Sequence, residues 1–348
     1  MLSLQKKVKD MSEKPIVAGI THGDINGIGY EVITKAFSDA RMMEVCTPIV
    51  YGSSKVASFH RKMVKNSGDF SFRVIAQPEQ RTTKTPNMIN VTEAEVKIEL
   101  GQSTSTAGDL ALASLKMATE HVLAGKTDVL VTAPINKQNI HSQAFPFEGH
   151  TEYLAKQCNA KDYLMLMIAD GLKIGTVTTH CAMSELPQRI TNDLIIRKIK
   201  ILNTSLKQDF LCTKPKIAVL SLNPHAGENG MFGKEEKNAI IPAIKEAFDS
   251  GIYVFGPYAA DGFFGTGQHT KFDGVLAMYH DQAMIPFKIL SYGEGVNFTA
   301  GLPFVRTSPA HGTAYEIAGK DIASPDSFRK AIYWACDIYQ NRKQFLEL

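Results

Sequence analysis

Short apolar runs alternate along this chain with stretches of helical period. Pro15–Ile20, Pro48–Tyr51, Phe72–Ala76, Val129–Thr132, Lys216–Leu222 and Gly274–Met278 are such runs, and their length and aliphatic content predict strands. Leu164–Ala169 and Lys173–Thr178 are two more, joined through Asp170-Gly171, a hairpin signal. A turn over His22–Gly29 leads into a helix from about Tyr30. Thr106–Leu123 carries helical period through Leu110, Leu112, Leu115 and Val122, and Gly125 stands where a helix-ending glycine belongs. Phe328–Tyr339 predicts a closing helix, with Ser324 or Asp326 as its cap. Strand-then-helix alternation argues for an α/β protein with a mostly parallel sheet, and the central hairpin for a mixed region within it. No internal repeat and no Pro- or Ser-rich linker marks a domain boundary, so the domains are expected to share elements.

Composition narrows the class. A length of 348 residues suggests about two domains. Apolar residues at 44% and charged residues at 21% are those of an ordinary globular protein, not a disordered or fibrous one. The net charge of +3 lacks the strong basic face that nucleic-acid binding requires. Lys6, Lys7 and Lys9 are read as a solvated extension, and no apolar segment follows them to make a secretory signal. No run approaches the ~18 apolar residues of a membrane span. A cytoplasmic location is expected. Cys46, Cys158, Cys181, Cys212 and Cys336 are odd in number and contain no CxxC pair, which speaks against disulfides and thiolate zinc and for reduced, mostly buried thiols.

Several familiar signatures are missing. Gly23-Asp-Ile-Asn-Gly27-Ile-Gly29 follows a strand and opens a helix, a place suited to phosphate binding. Its spacing is not the GxGxxG dinucleotide fingerprint, and a tight structural turn explains it equally well. Gly125-Lys126-Thr127 looks like the end of a P-loop, but Glu120 occupies the position of the first glycine. HExxH and GxSxG are absent.

Three histidines share one context. His180, His225 and His280 each follow a predicted strand at its carboxyl end, where open α/β sheets bind ligands. Three neutral imidazoles meeting there would make a divalent-metal site with open positions for substrate. Each is also explicable as an ordinary loop residue. Asp281 beside His280 could orient a ligand, act as a base, or cap a helix. A second set suits an anionic substrate. His150 and Thr151 stand at a predicted helix start, where a phosphate or carboxylate is favoured, although a capping-box start accounts for the spacing as well. Lys288, Asn297 and Arg306 lie in or beside a Gly-punctuated region. Arg306 could clamp an anion through two parallel bonds, or make a surface salt bridge.

At this point the chain resembles a known family. The segments that carry the resemblance stand in order from Thr21 (Thr-His-Gly-Asp-Ile-Asn-Gly-Ile-Gly), Thr132 (Thr-Ala-Pro-Ile-Asn-Lys) and Gly149 (Gly-His-Thr-Glu). Next come Thr-Thr-His ending at His180, Leu222 (Leu-Asn-Pro-His-Ala-Gly-Glu-Asn-Gly) and Ala277 (Ala-Met-Tyr-His-Asp-Gln). Gly295 (Gly-Val-Asn-Phe-Thr-Ala-Gly-Leu-Pro-Phe-Val-Arg-Thr-Ser) and His311 (His-Gly-Thr-Ala) complete the set. Together they are similar to the 4-hydroxythreonine-4-phosphate dehydrogenases of pyridoxal phosphate biosynthesis. The resemblance implies an isocitrate/isopropylmalate dehydrogenase-like fold with two α/β domains and a cleft between them. Residues 1–130 with 295–348 would form one domain. Residues 131–294 would form the other, carrying the metal histidines and a homodimer interface. It implies a zinc, magnesium or cobalt ion on His180, His225 and His280, in a site shared between subunits. It implies substrate contacts at His150, Thr151, Lys288, Asn297 and Arg306, and NAD or NADP without a GxGxxG turn. Ile25-Asn26 stands where the family usually has Pro-Ala, Tyr30 where it has Pro, and Pro309-Ala310 where it carries an Asp.

The implied reaction is oxidation of 4-phosphooxy-L-threonine to 2-amino-3-oxo-4-phosphooxybutanoate and decarboxylation to 3-amino-2-oxopropyl phosphate, with Asp281 and Lys288 as candidate bases. Erythronate or threonate 4-phosphate is the nearest alternative substrate. An acyl- or phosphotransferase would have no need of three histidines, and a binding protein without turnover would leave the dense set of site segments unexplained. Cys181 beside His180 would expose such a metal site to oxidation, although a small buried cysteine is the commoner role.

Overall fold

A computed structural model describes residues 14–65, 67–68 and 70–347, so the Lys6, Lys7 and Lys9 cluster lies outside it. The strands are β1 (Val17–Thr21), β2 (Thr47–Gly52), β3 (Arg73–Val74), β4 (Asn87–Asn90), β5 (Val129–Thr132) and β6 (Leu164–Ala169). They continue with β7 (Leu172–Thr176), β8 (Ile217–Leu220), β9 (Val254–Tyr258), β10 (Gly274–Ala277), β11 (Val296–Ala300) and β12 (Val305–Pro309). All join one sheet in the order β3-β4-β2-β1-β5-β12-β11-β6-β7-β10-β8-β9. From β3 to β12 the pairings are parallel, as they are from β7 to β9. An antiparallel seam of β12, β11, β6 and β7 joins the two blocks. The expected α/β architecture with a mostly parallel sheet is therefore present, and its mixed region is the seam.

Local chemistry explains most elements. β5 and β6 are buried along their whole length, as strands covered on both faces must be. Asp170-Gly171 turns β6 into β7, with Ala169 paired to Leu172. The helix Ser105–Leu123 starts where the Thr104 side chain accepts from the Ala107 N–H, and it stops before Gly125 at φ 68°. The closing helix runs Asp326–Leu346, longer than expected, and Pro325, not Ser324 or Asp326, occupies its cap position without a side-chain cap; the Ser324 hydroxyl only accepts from the Asp326 N–H at 3.2 Å. The expected strand Phe72–Ala76 shrinks to Arg73–Val74, both residues exposed at the sheet edge. Without a face to bury, nothing drives its extension.

The turn His22–Gly29 is wholly buried, so it is a structural turn and not an open phosphate cradle. A Cβ on Gly29 would lie 2.2 Å from the His22 carbonyl oxygen, so only glycine permits that approach. The unusual residues in this turn have specific work. Asn26 donates to the Gln102 carbonyl at 2.9 Å and to Thr104 Oγ1 at 3.0 Å, and its Oδ1 accepts from the Glu99 N–H at 2.8 Å. Tyr30 is sandwiched between His22 and His60, with ring centroids 5.2 and 5.3 Å away. None of the five cysteines forms a disulfide; Cys46 and Cys336 are buried, while Cys158, Cys181 and Cys212 are half-buried, more open than expected. Among the described residues no helix is long and apolar enough to cross a membrane.

Candidate active site

β7, β10 and β8 are adjacent and parallel, so their carboxyl ends share one edge of the sheet. His180 follows β7, His280 follows β10, and His225 follows β8. The side chains part beyond that edge. His180 and His280 face each other with ring centroids 5.8 Å apart and line a cleft of about 270 Å³. His225 lines the adjoining hollow with Asp281, Asn223 and Ile285, its ring beside Phe232 at 6.2 Å. The three imidazoles therefore do not meet within one chain.

His150, Thr151, Lys288, Asn297 and Arg306 all line the cleft that holds His180 and His280. The antiparallel seam explains this convergence. Asn297 pairs with Ser308 on one side and Met167 on the other, and the period of two turns residues 297, 306 and 308 to one face. Arg306 is 2% exposed. Its Nε and Nη2 donate to Thr132 Oγ1 at 3.1 and 2.7 Å, and its Nη1 donates to Thr299 Oγ1 at 3.2 Å. No carboxylate among the described residues forms an ion pair with it, which excludes the surface salt bridge. Burial lowers its pKa to about 10, leaving it charged at neutral pH. Among the described residues, three buried polar atoms of the same cleft have no hydrogen-bond partner: His150 Nε2, Asn297 Oδ1 and His311 Nε2. Orphaned atoms are uncommon in native proteins, and here they converge where a polar ligand would satisfy them.

Burial, reinforced by Arg306 and Lys137, holds the His150 pKa well below its ordinary value. Burial, then Lys137, also lowers that of His180. The Lys137 ammonium donates to His180 Nε2 at 3.0 Å, while Nδ1 lies 3.9 Å from a Glu148 carboxylate oxygen. Accepting from Lys137 requires an unprotonated Nε2, and at 3.9 Å Glu148 is near but outside hydrogen-bond distance. On the other side Asp281 Oδ1 takes the His280 Nδ1 at 2.7 Å. Tyr279, not Asp281, occupies the cap position of the helix His280–Leu290, so of the three sequence readings the structure favours orientation of His280. The helix His150–Gln157 has no side-chain cap at Gly149, so the capping-box explanation of His150-Thr151 falls.

Two facing imidazoles, one of them oriented by Asp281, with the Glu148 and Glu152 carboxylates near the other, are a donor set that suits a divalent cation. Among the described residues, Glu148, Glu152 and His180 are the group whose ligand atoms lie within 4.8 Å of one another. Lys137, Glu152 and His311 line the cleft but were not singled out from sequence. Lys137 ends the segment that begins at Thr132, just past the carboxyl end of β5, and that position was the available signal.

The fold and cleft define an α/β protein with a polar pocket lined by Lys137, Lys288 and Arg306 beside Glu152. Comparison then places the chain plainly: residues 44–335 match pyridoxal phosphate biosynthetic protein PdxA, and the chain belongs to that family. It is 52% identical over 335 residues to a 4-hydroxythreonine-4-phosphate dehydrogenase of Bacteroides thetaiotaomicron, covering 96% of this chain and 92% of that protein. A D-threonate 4-phosphate dehydrogenase of Pectobacterium atrosepticum is 36% identical, with 92% and 99% covered. The crystal structure of a 4-hydroxythreonine-4-phosphate dehydrogenase from Klebsiella pneumoniae superposes with a TM-score of 0.80 at 34% identity, covering 94% and 98%.

Proposed function

We propose that this chain oxidises 4-phosphooxy-L-threonine at C3 with NAD or NADP, giving 2-amino-3-oxo-4-phosphooxybutanoate, which loses CO2 to yield 3-amino-2-oxopropyl phosphate. The observation that carries this reading is Arg306, a buried cation without a carboxylate partner, beside three orphaned polar atoms. An anionic substrate supplies the missing charge. Family membership and the names of close relatives support the same substrate.

In this reading Arg306, Asn297 and the His150-Thr151 helix start hold the phosphate and carboxylate. Glu152, whose carboxylate lies within 4.8 Å of a His180 ring nitrogen, faces the C2 amine. Lys288 lines the cleft whereas Asp281 lines the adjoining hollow, so Lys288 is the better placed of the two bases and takes the C3 hydroxyl proton. The electron pair of the C3–H bond leaves as hydride to the nicotinamide. The C1–C2 bond then breaks, CO2 departs, and a proton returns to C2. His180, His225 and His280 would hold a zinc, magnesium or cobalt ion, whose Lewis acidity when bound lowers the pKa of the hydroxyl.

His225 stands outside the cleft of its own chain, as a site completed by a second copy requires. Ile285 and Ile289, which line the hollow with it, are 61% and 65% exposed, and Phe232, whose ring lies beside His225, is exposed too. These apolar side chains support a homodimer across this face. The division into residues 1–130 with 295–348 and 131–294 belongs to the same proposal, since both parts line the cleft.

The test is NADH formation from 4-phosphooxy-L-threonine by chelator-stripped protein, before and after return of zinc, magnesium or cobalt. Metal-restored turnover is expected. The D-threonate 4-phosphate dehydrogenase among the relatives makes that acid the second substrate to offer. Turnover only with the acid lacking the C2 amine would replace the substrate assignment and remove the role of Glu152. No reduction of either nucleotide with any of these acids would end the redox reading.

A further inference from the structure

His225 begins a run of backbone that side chains rarely adopt. Residues 225 to 229 have φ of 52°, 53°, 76°, 42° and 57°, and Gly230 follows at 100°. Only Gly227 and Gly230 in this run are glycines. L residues are strained in the left-handed region, and a run of them persists only where its surroundings over-determine it. The structure identifies what does so. Glu236 is 3% exposed and opens a single π-helical turn, Glu236–Ile240, a feature frequent at functional sites. Its Oε1 accepts from the Leu222 and Asn223 N–H groups, both at 2.8 Å. Its Oε2 accepts from Asn223 Nδ2 at 2.9 Å. A Cβ on Gly227 would come within 2.6 Å of that same oxygen, so the strained turn is seated directly on the carboxylate. Among the described residues no cation pairs with Glu236.

The contacts continue beyond Asn223. Ser221 Oγ donates to the Asn223 carbonyl at 2.9 Å, and Gln282 Nε2 donates to the Ser221 carbonyl at 2.7 Å. Gln282 Oε1 in turn accepts from the Met278 N–H at 2.7 Å, two residues before His280. An unbroken set of hydrogen bonds thus runs from Glu236 to the start of the helix that carries His280.

We infer that Glu236 is a positioning residue: it sets the left-handed turn that presents His225 and, through Asn223, Ser221 and Gln282, holds that turn in register with His280. This rests on the reading of His225 as a metal ligand. The test uses Glu236→Gln in the full-length protein, which places an amide donor against the Asn223 amide. Cobalt binding to chelator-stripped protein is measured by calorimetry, together with turnover as a function of cobalt concentration and the thermal midpoint. The expected result is a cobalt dissociation constant raised about ten-fold or more, with kcat regained at saturating cobalt, as for other residues that orient metal ligands. A merely structural role would lower the midpoint and leave the dissociation constant of the folded protein within about two-fold; that result overturns the inference. Asn223→Ala removes the Oε2 contact from the other side, together with the 2.7 Å bond from Asn223 Nδ2 to Glu235, and is expected to act in the same direction. It decides the matter if Glu236→Gln does not fold, and failure of both to fold reduces the contact to a folding element. His225→Ala separates the two readings. If it leaves cobalt binding intact, the metal assignment has failed; if it abolishes binding while Glu236→Gln does not weaken it, only the positioning role has failed.

Discussion

Arg306 combines two opposed demands on one residue. Its guanidinium is out of water and bonded only to threonine hydroxyls, so the fold carries the desolvation cost of a charge that no carboxylate contacts, offset only in part by Glu152 at longer range. Arg306→Met removes that cost at similar length and is expected to leave the protein at least as stable, by about 1 kcal/mol in urea unfolding. The same change is expected to lower kcat/KM about 100-fold or more, because the planar two-bond clamp is gone. Arg306→Lys keeps the charge but not the fork and should recover only part of the loss. A variant that loses stability and keeps its kinetics would show that Arg306 serves the sheet and not the substrate. The residue was visible in the sequence as a possible clamp. Its burial was not, because nothing in Val305–Pro309 signals a strand: Arg306, Thr307 and Ser308 are polar, and their burial comes from a seam assembled by distant segments.

At the scale of elements, legibility followed local apolar content. Val129–Thr132 and Leu164–Ala169 are strands at the bounds their apolar runs suggest, since burial on both faces needs no partner-specific pattern. Val254–Tyr258, interrupted by Gly256-Pro257, gave no such run and is nonetheless a strand, at the sheet edge where proline is tolerated. The histidines were legible by their place after strands, but the direction of His225 was not, because it depends on the left-handed turn and on Glu236 eleven positions later. The first helix, Gly29–Phe37, adds a stacked group whose behaviour follows from burial. His22 and His60 flank Tyr30, are each 1% exposed, and have pKa values lowered by burial from 6.5 to about 4. The fold therefore favours the neutral rings. Their contribution is fully present above about pH 6.5, the unfolded value, and is lost as pH falls toward about 4. At about pH 5 each ring should cost roughly 2 kcal/mol relative to neutral pH. His60→Gln can retain a donor to the Ile25 carbonyl, which His60 Nε2 contacts at 2.8 Å, but cannot titrate. Urea midpoints of wild type and variant at about pH 7.5 and 5 should show a smaller acid loss in the variant, and equal losses would remove His60 as a source.

For the whole molecule, the sheet explains why one copy does not close the proposed metal site. The loops after β7 and β10 bring His180 and His280 into the cleft, while the loop after β8 turns His225 toward the hollow lined by Ile285 and Ile289. A chain that leaves these side chains more than half exposed is expected to cover them, and in the proposed homodimer a second copy related by a two-fold axis would do so with the same patch on both sides. The consequence is a coupling between assembly and chemistry that neither a surface role nor a monomeric site would produce. Ile289→Glu places a charge in the apolar patch without touching any proposed ligand or substrate contact. It is expected to convert a dimer to a monomer in sedimentation, to leave the unfolding of the isolated chain cooperative, and to abolish cobalt binding together with turnover. Loss of the dimer with cobalt affinity retained would show that His180, His225 and His280 close on one ion within a single chain. An unchanged sedimentation coefficient would move the interface elsewhere and leave His225 without the neighbour that its orientation requires.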